Sequence, residues 1–231
     1  MRKEKLFFEE SIIQKIKFNN PSKTIYMKRD DLLSFGFGGN KVRLYEYIIG
    51  EVLTKGVKKI VTYGSQYSNF LRVTVSVCSY FGIACDLIIL KNDVEEQVNK
   101  GNRALLDYFD ARIVYCKESE AHDFIDEYKA SCGIEGIDYI WIPGGGHTDA
   151  AAFGYVDAAY EIQEQLKSNN MKIDAVFLPC GTGTTQAGLI HGFRNTNIPI
   201  YGVTVARSIE RCQHEITRLL DSMDISKWGG V

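Results

Sequence analysis

The residues of this chain best suited to chemistry begin with the stretch FGFGGNKVR, Phe35 to Arg43. Gly36, Gly38 and Gly39 surround Phe37 and run through Asn40 into Lys41. Glycines permit tight or left-handed backbone and let another molecule approach closely. The apolar run Leu44, Ile48 and Ile49 predicts a helix, which places Lys41 at its N-terminus. There the positive end of the helix favours an anion and slightly lowers a lysine pKa. An amine freed of its proton is the nucleophile of Schiff-base chemistry. The competing reading is a solvated lysine capping a surface loop.

Three further loops have unusual composition. In Gly64-Ser65-Gln66-Tyr67-Ser68-Asn69, Ser68 and Asn69 have the chemistry of helix N-caps. Gly144-Gly145-Gly146-His147 reads equally as a flexible turn. The third, Cys180-Gly181-Thr182-Gly183-Thr184-Thr185, stands directly before a helical pattern. Its glycines let backbone amides converge, its threonines add hydroxyls, and the helix dipole lies behind them. Together they form an anion site the size of a phosphate. Gln186 stands where a dinucleotide fingerprint needs its third glycine, and no P-loop lysine pattern occurs. The loop therefore suits a monophosphate. The four histidines are scattered, and no pair has metal-ligand spacing, so no metal is expected.

The elements that must position these loops alternate in type. Strand patterns at 24–28, 59–63, 84–90, 112–116, 139–143, 173–179 and 198–205 are separated by helical patterns. The helices are predicted over 42–55, 68–81, 95–110, 119–131, 150–167, 186–194 and 209–223. Turn chemistry follows the third strand at Lys91-Asn92-Asp93. Such alternation predicts an α/β fold with a parallel sheet covered by helices, and the short apolar strands fit burial on both faces.

A chain of 231 residues can bury one large domain or two smaller lobes. With 45% hydrophobic and 24% charged residues its composition is that of a soluble globular protein. A net charge of −2 gives no electrostatic case for nucleic acid. No apolar run is long enough to span a bilayer, and the N-terminus lacks the apolar core of a signal peptide. The six cysteines form no CxxC pair or short disulfide framework. They read as reduced thiols in a cytoplasmic chain.

A nucleophilic lysine together with a monophosphate cup points to pyridoxal 5′-phosphate as cofactor. Lys28-Arg29-Asp30-Asp31 followed by Gly38-Gly39-Asn40-Lys41-Val42-Arg43 resembles the signature of the D-cysteine desulfhydrase and 1-aminocyclopropane-1-carboxylate deaminase family. The resemblance continues through Thr62-x-Gly64, Ser68-Asn69-x-x-Arg72, Ile142-Pro143-x-Gly145-Gly146, Gly154-Tyr155 and Gly181 to Gly188. It covers essentially the whole chain in order. The family is of the tryptophan-synthase-β-like group, fold type II. The resemblance implies two lobes with open, mostly parallel twisted sheets and helices on both faces. Residues 1–48 and 155–231 would form the large cofactor-binding lobe, and 49–154 the small one.

The resemblance also implies roles. Lys41 would attach the cofactor as a Schiff base and move protons at the substrate. Asn69 would hydrogen-bond the 3′ oxygen of the ring, and Ser68 would contact the substrate carboxylate or assist proton transfer. Gly181, Thr182, Gly183, Thr184 and Thr185 would hold the phosphate. The implied activity is a lyase or deaminase acting on a small amino acid, by β-elimination or by ring opening.

The chain departs from the family pattern at Tyr67 and Phe70, which flank the Ser-Asn pair in place of amide or histidine side chains. It departs again at Gly144 and His147, where glutamate and serine are usual. Tyr67, Phe70 and His147 are therefore the expected substrate-facing positions. The chain ends at Val231, before the family's C-terminal part with its partner for the pyridine nitrogen. A homodimer or a complementing chain is expected to complete the site. The alternative is a family member that has lost turnover and binds cofactor or a partner.

Overall fold

The computed structural model of the protein describes residues 1–20, 22–91, 100–205 and 207–223. Strands β1 (Ile13–Ile16) and β2 (Ile25–Lys28) pair antiparallel, with Ile13 opposite Lys28. Sequence analysis missed β1, because Ile-Gln-Lys-Ile is too short to show a period of two. Antiparallel pairing with β2 is what makes it a strand. A short turn at Asp30–Leu32 leads into the glycine loop and α1 (Asn40–Lys55).

The chain then alternates through β3 (Lys59–Ser65), α2 (Asn69–Phe81), β4 (Ala84–Lys91), α3 (Asn102–Tyr108), β5 (Arg112–Lys117), α4 (Ala121–Ile134) and β6 (Ile140–Ile142). Their strands form one parallel sheet in the order β5-β4-β3-β6. Ile60 to Thr62 and Cys85 to Ile89 are buried without interruption, as strands covered on both faces must be. The predicted helix over 95–110 is found only as α3. Its first residues, 95–99, lie outside the described residues, as do Asn92 and Asp93 of the predicted turn.

Helix α5 (Asp149–Ser168) is followed by β7 (Val176–Cys180), α6 (Thr184–Gly192), β8 (Ile200–Thr204) and α7 (Ile209–Met223). β7 and β8 form a parallel pair. The expected α/β architecture with mostly parallel strands is what the chain adopts. Helix α6 begins two residues before the predicted Gln186, so Thr184 and Thr185 of the anion loop form its first turn. The four-stranded sheet falls within residues 49–154, and the other two sheets fall outside that span.

One apolar cluster runs from Leu6 and Phe7 through Leu44, Ile48 and Ile49 of α1, Leu71 and Val73 of α2, and Leu87 and Ile89 of β4. It continues to Ile162 and Leu166 of α5 and Leu189 of α6. Each such side chain contributes about 1.5–3 kcal/mol on burial. The helices approach closely at two glycines. A Cβ on Gly154 would stand 2.1 Å from the Arg43 carbonyl oxygen, and one on Gly188 would stand 2.3 Å from that of Ala152. These contacts seat α5 on α1 and α6 on α5, which brings the Lys41 loop and the anion loop together. Cys212, Ile216, Leu219 and Met223 form the buried stripe that holds α7 beside α6.

Candidate functional site

The glycine loop is shaped before Lys41 is placed. Gly38 has φ +70°, and a Cβ there would stand 2.3 Å from the carbonyl oxygen of Asp31. Its N–H donates to the Phe35 carbonyl at 2.9 Å, and Gly39 N–H donates to the Asp30 carbonyl at 2.7 Å. Arg72, buried on α2, donates to the carbonyl oxygens of Gly36 and, at 3.0 Å, Gly38. Lys41 then enters the first turn of α1. Its Nζ donates to the Gly145 carbonyl at 2.8 Å and stands 6.0 Å from the centre of the Phe70 ring. Burial lowers the pKa of Lys41 from 10.5 to about 8. The amine is thus partly unprotonated near neutral pH.

Behind this loop lies a buried ionic network. Arg43, 2% exposed, donates to both carboxylate oxygens of Asp30 at 2.9 Å and to those of Glu161 at 2.8 and 2.9 Å. Tyr155 and Ser11 donate to Asp30 at 2.6 and 2.7 Å, and Lys28 pairs with Glu161. Burial alone would raise both carboxylates. The Arg43 hydrogen bonds outweigh it and hold Asp30 and Glu161 below their ordinary values. The network joins the β1–β2 hairpin and α5 to the residue two places beyond Lys41.

Ser68 caps α2. Its Oγ accepts from the N–H groups of Phe70 at 3.2 Å and Leu71 at 3.3 Å. Both lone pairs are thereby engaged, and the hydroxyl proton remains available to donate. Asn69 opens the helix, and its Oδ1 accepts from Asn102 Nδ2 at 2.9 Å. The same amide donates to the Tyr67 carbonyl at 2.8 Å. Tyr67 is 39% exposed. Phe70 is 1% exposed, stacks on Tyr45 at 5.2 Å between ring centres, and lies beneath the Lys41 amine.

The anion loop connects β7 to α6, with Gly183 at φ +87°. A cavity is lined on one side by Asn40 and Lys41, and on the other by Gly181, Thr182, Gly183 and Thr185. Asn40 Nδ2 donates across it to Thr185 Oγ1 at 3.2 Å. Thr184 is buried and lies behind the cavity, 3.1 Å from Thr182 through their hydroxyls. His147 meets Thr184 from the glycine loop Gly144–Gly146, with Nδ1 2.9 Å from Thr184 Oγ1. Its Nε2 is 2.6 Å from Glu215 Oε2 and 3.1 Å from Arg218 Nη2. Burial lowers the His147 pKa, against the opposing pull of Glu215.

The structure thus brings Lys41, Gly181, Thr182, Gly183 and Thr185 to one cavity, with buried Thr184 against Thr182 and the Phe70 ring 6.0 Å from the Lys41 amine. Sequence analysis missed the supporting residues Asn102, Glu215 and Arg218, and gave Asn40 no role beyond its place in the signature before Lys41. No local pattern marks Asn102, Glu215 or Arg218, since each acts on the site through a partner distant in the chain. Arg207 was missed too. It stands in the turn after β8, close enough to act electrostatically on His147 and Cys180. Its buried Nη1 has no hydrogen-bond partner among the described residues.

Pyridoxal phosphate needs an amine for its aldehyde and donors for its phosphate. A desolvated lysine facing the N-terminus of α6 across one cavity, with an unsatisfied guanidinium nitrogen nearby, fits both requirements.

Comparison with known proteins agrees. The family described as pyridoxal-phosphate dependent enzyme matches residues 13–227. The D-cysteine desulfhydrase of Salmonella paratyphi A is 31% identical over 206 residues, covering 86% of this chain and 62% of the relative. That of Serratia proteamaculans is 32% identical over 192 residues, covering 80% and 58%. The chain therefore spans about three fifths of the length of these relatives. The crystal structure of an ACC deaminase homologue superposes with a TM-score of 0.84 at 29% identity, covering 95% of this chain and 68% of that one. The O-acetylserine dependent cystathionine beta-synthase from Helicobacter pylori shares the fold, with a TM-score of 0.64 at 18% identity.

Proposed function

This chain belongs to the pyridoxal-phosphate-dependent enzyme family, and on that premise we propose that it is a carbon–sulfur lyase or deaminase of small amino acids, with D-cysteine the first substrate to test. The observation that carries the reading is the shared cavity, with a partly unprotonated Lys41 on one side and the first turn of α6 on the other. The names of the similar proteins supply the substrate class.

When bound, pyridoxal phosphate supplies an electron sink for negative charge at the substrate's α-carbon. Lys41 moves protons at the α or β carbon of the substrate, taking the α proton of D-cysteine as its sulfur leaves from the β carbon, and its pKa of about 8 suits a base working near neutral pH. Thr182, Gly183 and Thr185 bind the phosphate, and Asn40 braces Thr185. Ser68, with its lone pairs engaged by the helix, donates its hydroxyl proton to the substrate carboxylate at the N-terminus of α2. Asn69 orients the cofactor ring, held by Asn102. Tyr67 is the exposed aromatic wall for the substrate side chain.

Residues 49–154 are proposed as the small, closing lobe. A homodimer is the proposed assembly. The stacked pair Phe177 and Tyr201, 70% and 51% exposed on the open face of β7 and β8, supports self-association. Light scattering that finds only monomer across a range of concentrations would remove it. The activity test is to incubate the chain with pyridoxal phosphate and D-cysteine, and to assay sulfide, pyruvate and ammonia. A parallel incubation with 1-aminocyclopropane-1-carboxylate assays 2-oxobutyrate and ammonia. Product from neither substrate, with the cofactor bound, would leave a binding protein of the same fold.

A further inference from the structure

His147 begins a line of hydrogen-bonding groups that ends in the anion cavity. Its Nδ1 is 2.9 Å from Thr184 Oγ1, and that oxygen is 3.1 Å from Thr182 Oγ1, whose residue lines the cavity. Its other nitrogen, Nε2, is 2.6 Å from the Glu215 carboxylate, which is ionised at neutral pH. A contact that short to a carboxylate requires a proton on Nε2. Arg218 Nη2 lies farther from the same nitrogen, at 3.1 Å, and its guanidinium is held by Glu215 through Nε at 3.3 Å and by Asp149 through Nη1 at 3.0 Å, so the proton stays with the shorter carboxylate contact. The tautomer is therefore fixed from the α7 side, and Nδ1 is the position that gains or loses a proton.

The protonation of Nδ1 decides which way the two hydroxyls point. With Nδ1 bare, it accepts the Thr184 proton. Thr184 then accepts from Thr182, and Thr182 turns its lone pairs to the cavity. With Nδ1 protonated, it donates to Thr184, Thr184 donates to Thr182, and the Thr182 proton points into the cavity. An anion there requires the second arrangement. We propose that His147, held by Glu215, is a positioning residue that sets the direction of the Thr184–Thr182 hydroxyl chain, so that binding a phosphate monoester takes a proton from solvent onto His147.

The charges facing the ring are Glu215 and Arg218 from α7, Arg207 from the turn after β8, and Asp149, at the start of α5, through Arg218. Thr184 of α6 is neutral. The Glu215 carboxylate compensates the imidazolium that phosphate binding calls for. Burial keeps the ring neutral at rest, so the proton is available to be taken up. The sign follows from linkage: affinity for the phosphate group falls as pH rises through the His147 titration.

The inference rests on assigning this cavity to the phosphate, and the test separates the two claims. Pyridoxine 5′-phosphate carries the phosphate but no aldehyde, so Lys41 does not react with it. Pyridoxine lacks both. The ring protons of His147, assigned with His147→Gln, are titrated by NMR in the free chain and with each compound. The ring signal is read separately from the ionisation of the phosphate itself, near 6. Pyridoxine phosphate is expected to move the His147 midpoint upward by about 1 in pH, the worth of one hydrogen bond, and pyridoxine to leave it unchanged. Glu215→Gln is expected to lower the midpoint and weaken pyridoxine phosphate about tenfold at pH 7, with pyridoxine binding unaffected. If pyridoxine phosphate binds more tightly than pyridoxine yet leaves the His147 midpoint in place, the inference is overturned and the phosphate assignment stands. If the two compounds bind equally, the phosphate assignment fails and takes the inference with it.

Discussion

Lys41 and Gly145 are joined by a 2.8 Å hydrogen bond, amine to carbonyl, across the gap between the first turn of α1 and the loop after β6. One neutral acceptor is poor compensation for a desolvated ammonium, and this is why the amine loses its proton early. Lys41→Ala is expected to end covalent capture of pyridoxal phosphate while changing stability by no more than about 1 kcal/mol. Borohydride reduction followed by peptide mapping, with thermal melts of both proteins, checks both parts. Cofactor fixed to a different lysine would remove Lys41 from its role.

The same desolvation has a pH signature. The folded-state pKa of about 8 lies below the ordinary 10.5, so the unfolded chain binds more protons between these values. The stability contributed by Lys41 therefore rises with pH across that window. The rate of attachment of pyridoxal phosphate should likewise climb with a midpoint near pH 8. A midpoint above 10 would mean that the amine is solvated.

Arg43→Met leaves Asp30 and Glu161 buried without their cation, which is expected to cost about 3–5 kcal/mol. Both carboxylates lie below their ordinary values of 3.8 and 4.5 in the folded chain. Their contribution is complete above those values and is lost as pH falls through the lower, folded-state values. Denaturant melts of the native chain at pH 7 and below pH 4 should show that loss, and the variant should show less of it.

Gly38→Ala and Gly56→Ala make a matched pair, since both positions have φ +70°. A Cβ at Gly56 meets nothing within 4 Å, so only backbone strain of about 1–2 kcal/mol is expected. At Gly38 the Cβ would meet the Asp31 carbonyl oxygen at 2.3 Å, and the loop must shift. That variant should lose both stability and cofactor capture, whereas Gly56→Ala should retain capture. Equal behaviour of the two would mean that the glycine loop does not position Lys41.

The alternation of strands and helices, and the loops that carry Lys41, Ser68 and Thr182, were legible in the sequence because each is local. A helix period, a glycine before a lysine and a threonine before a helix all lie within a few residues. The sequence also carried the family, because the motifs occur in the right order. Strand β1 escaped, since four residues carry no period and only its partner β2 makes it a strand.

Tertiary structure alone decided the rest. Only packing of α5 on α1 and α6 on α5, at Gly154 and Gly188, brings Lys41 and Thr182, far apart in sequence, to one cavity. Phe70, a candidate for the substrate from its place beside Asn69, is buried and stacks on Tyr45. The position of His147 marked a departure from the family, but nothing local revealed Glu215 and Thr184 as its partners. Desolvation and hydrogen bonding act over a few ångströms of space, and the residues that supply them here are brought near only when the helices close on one another.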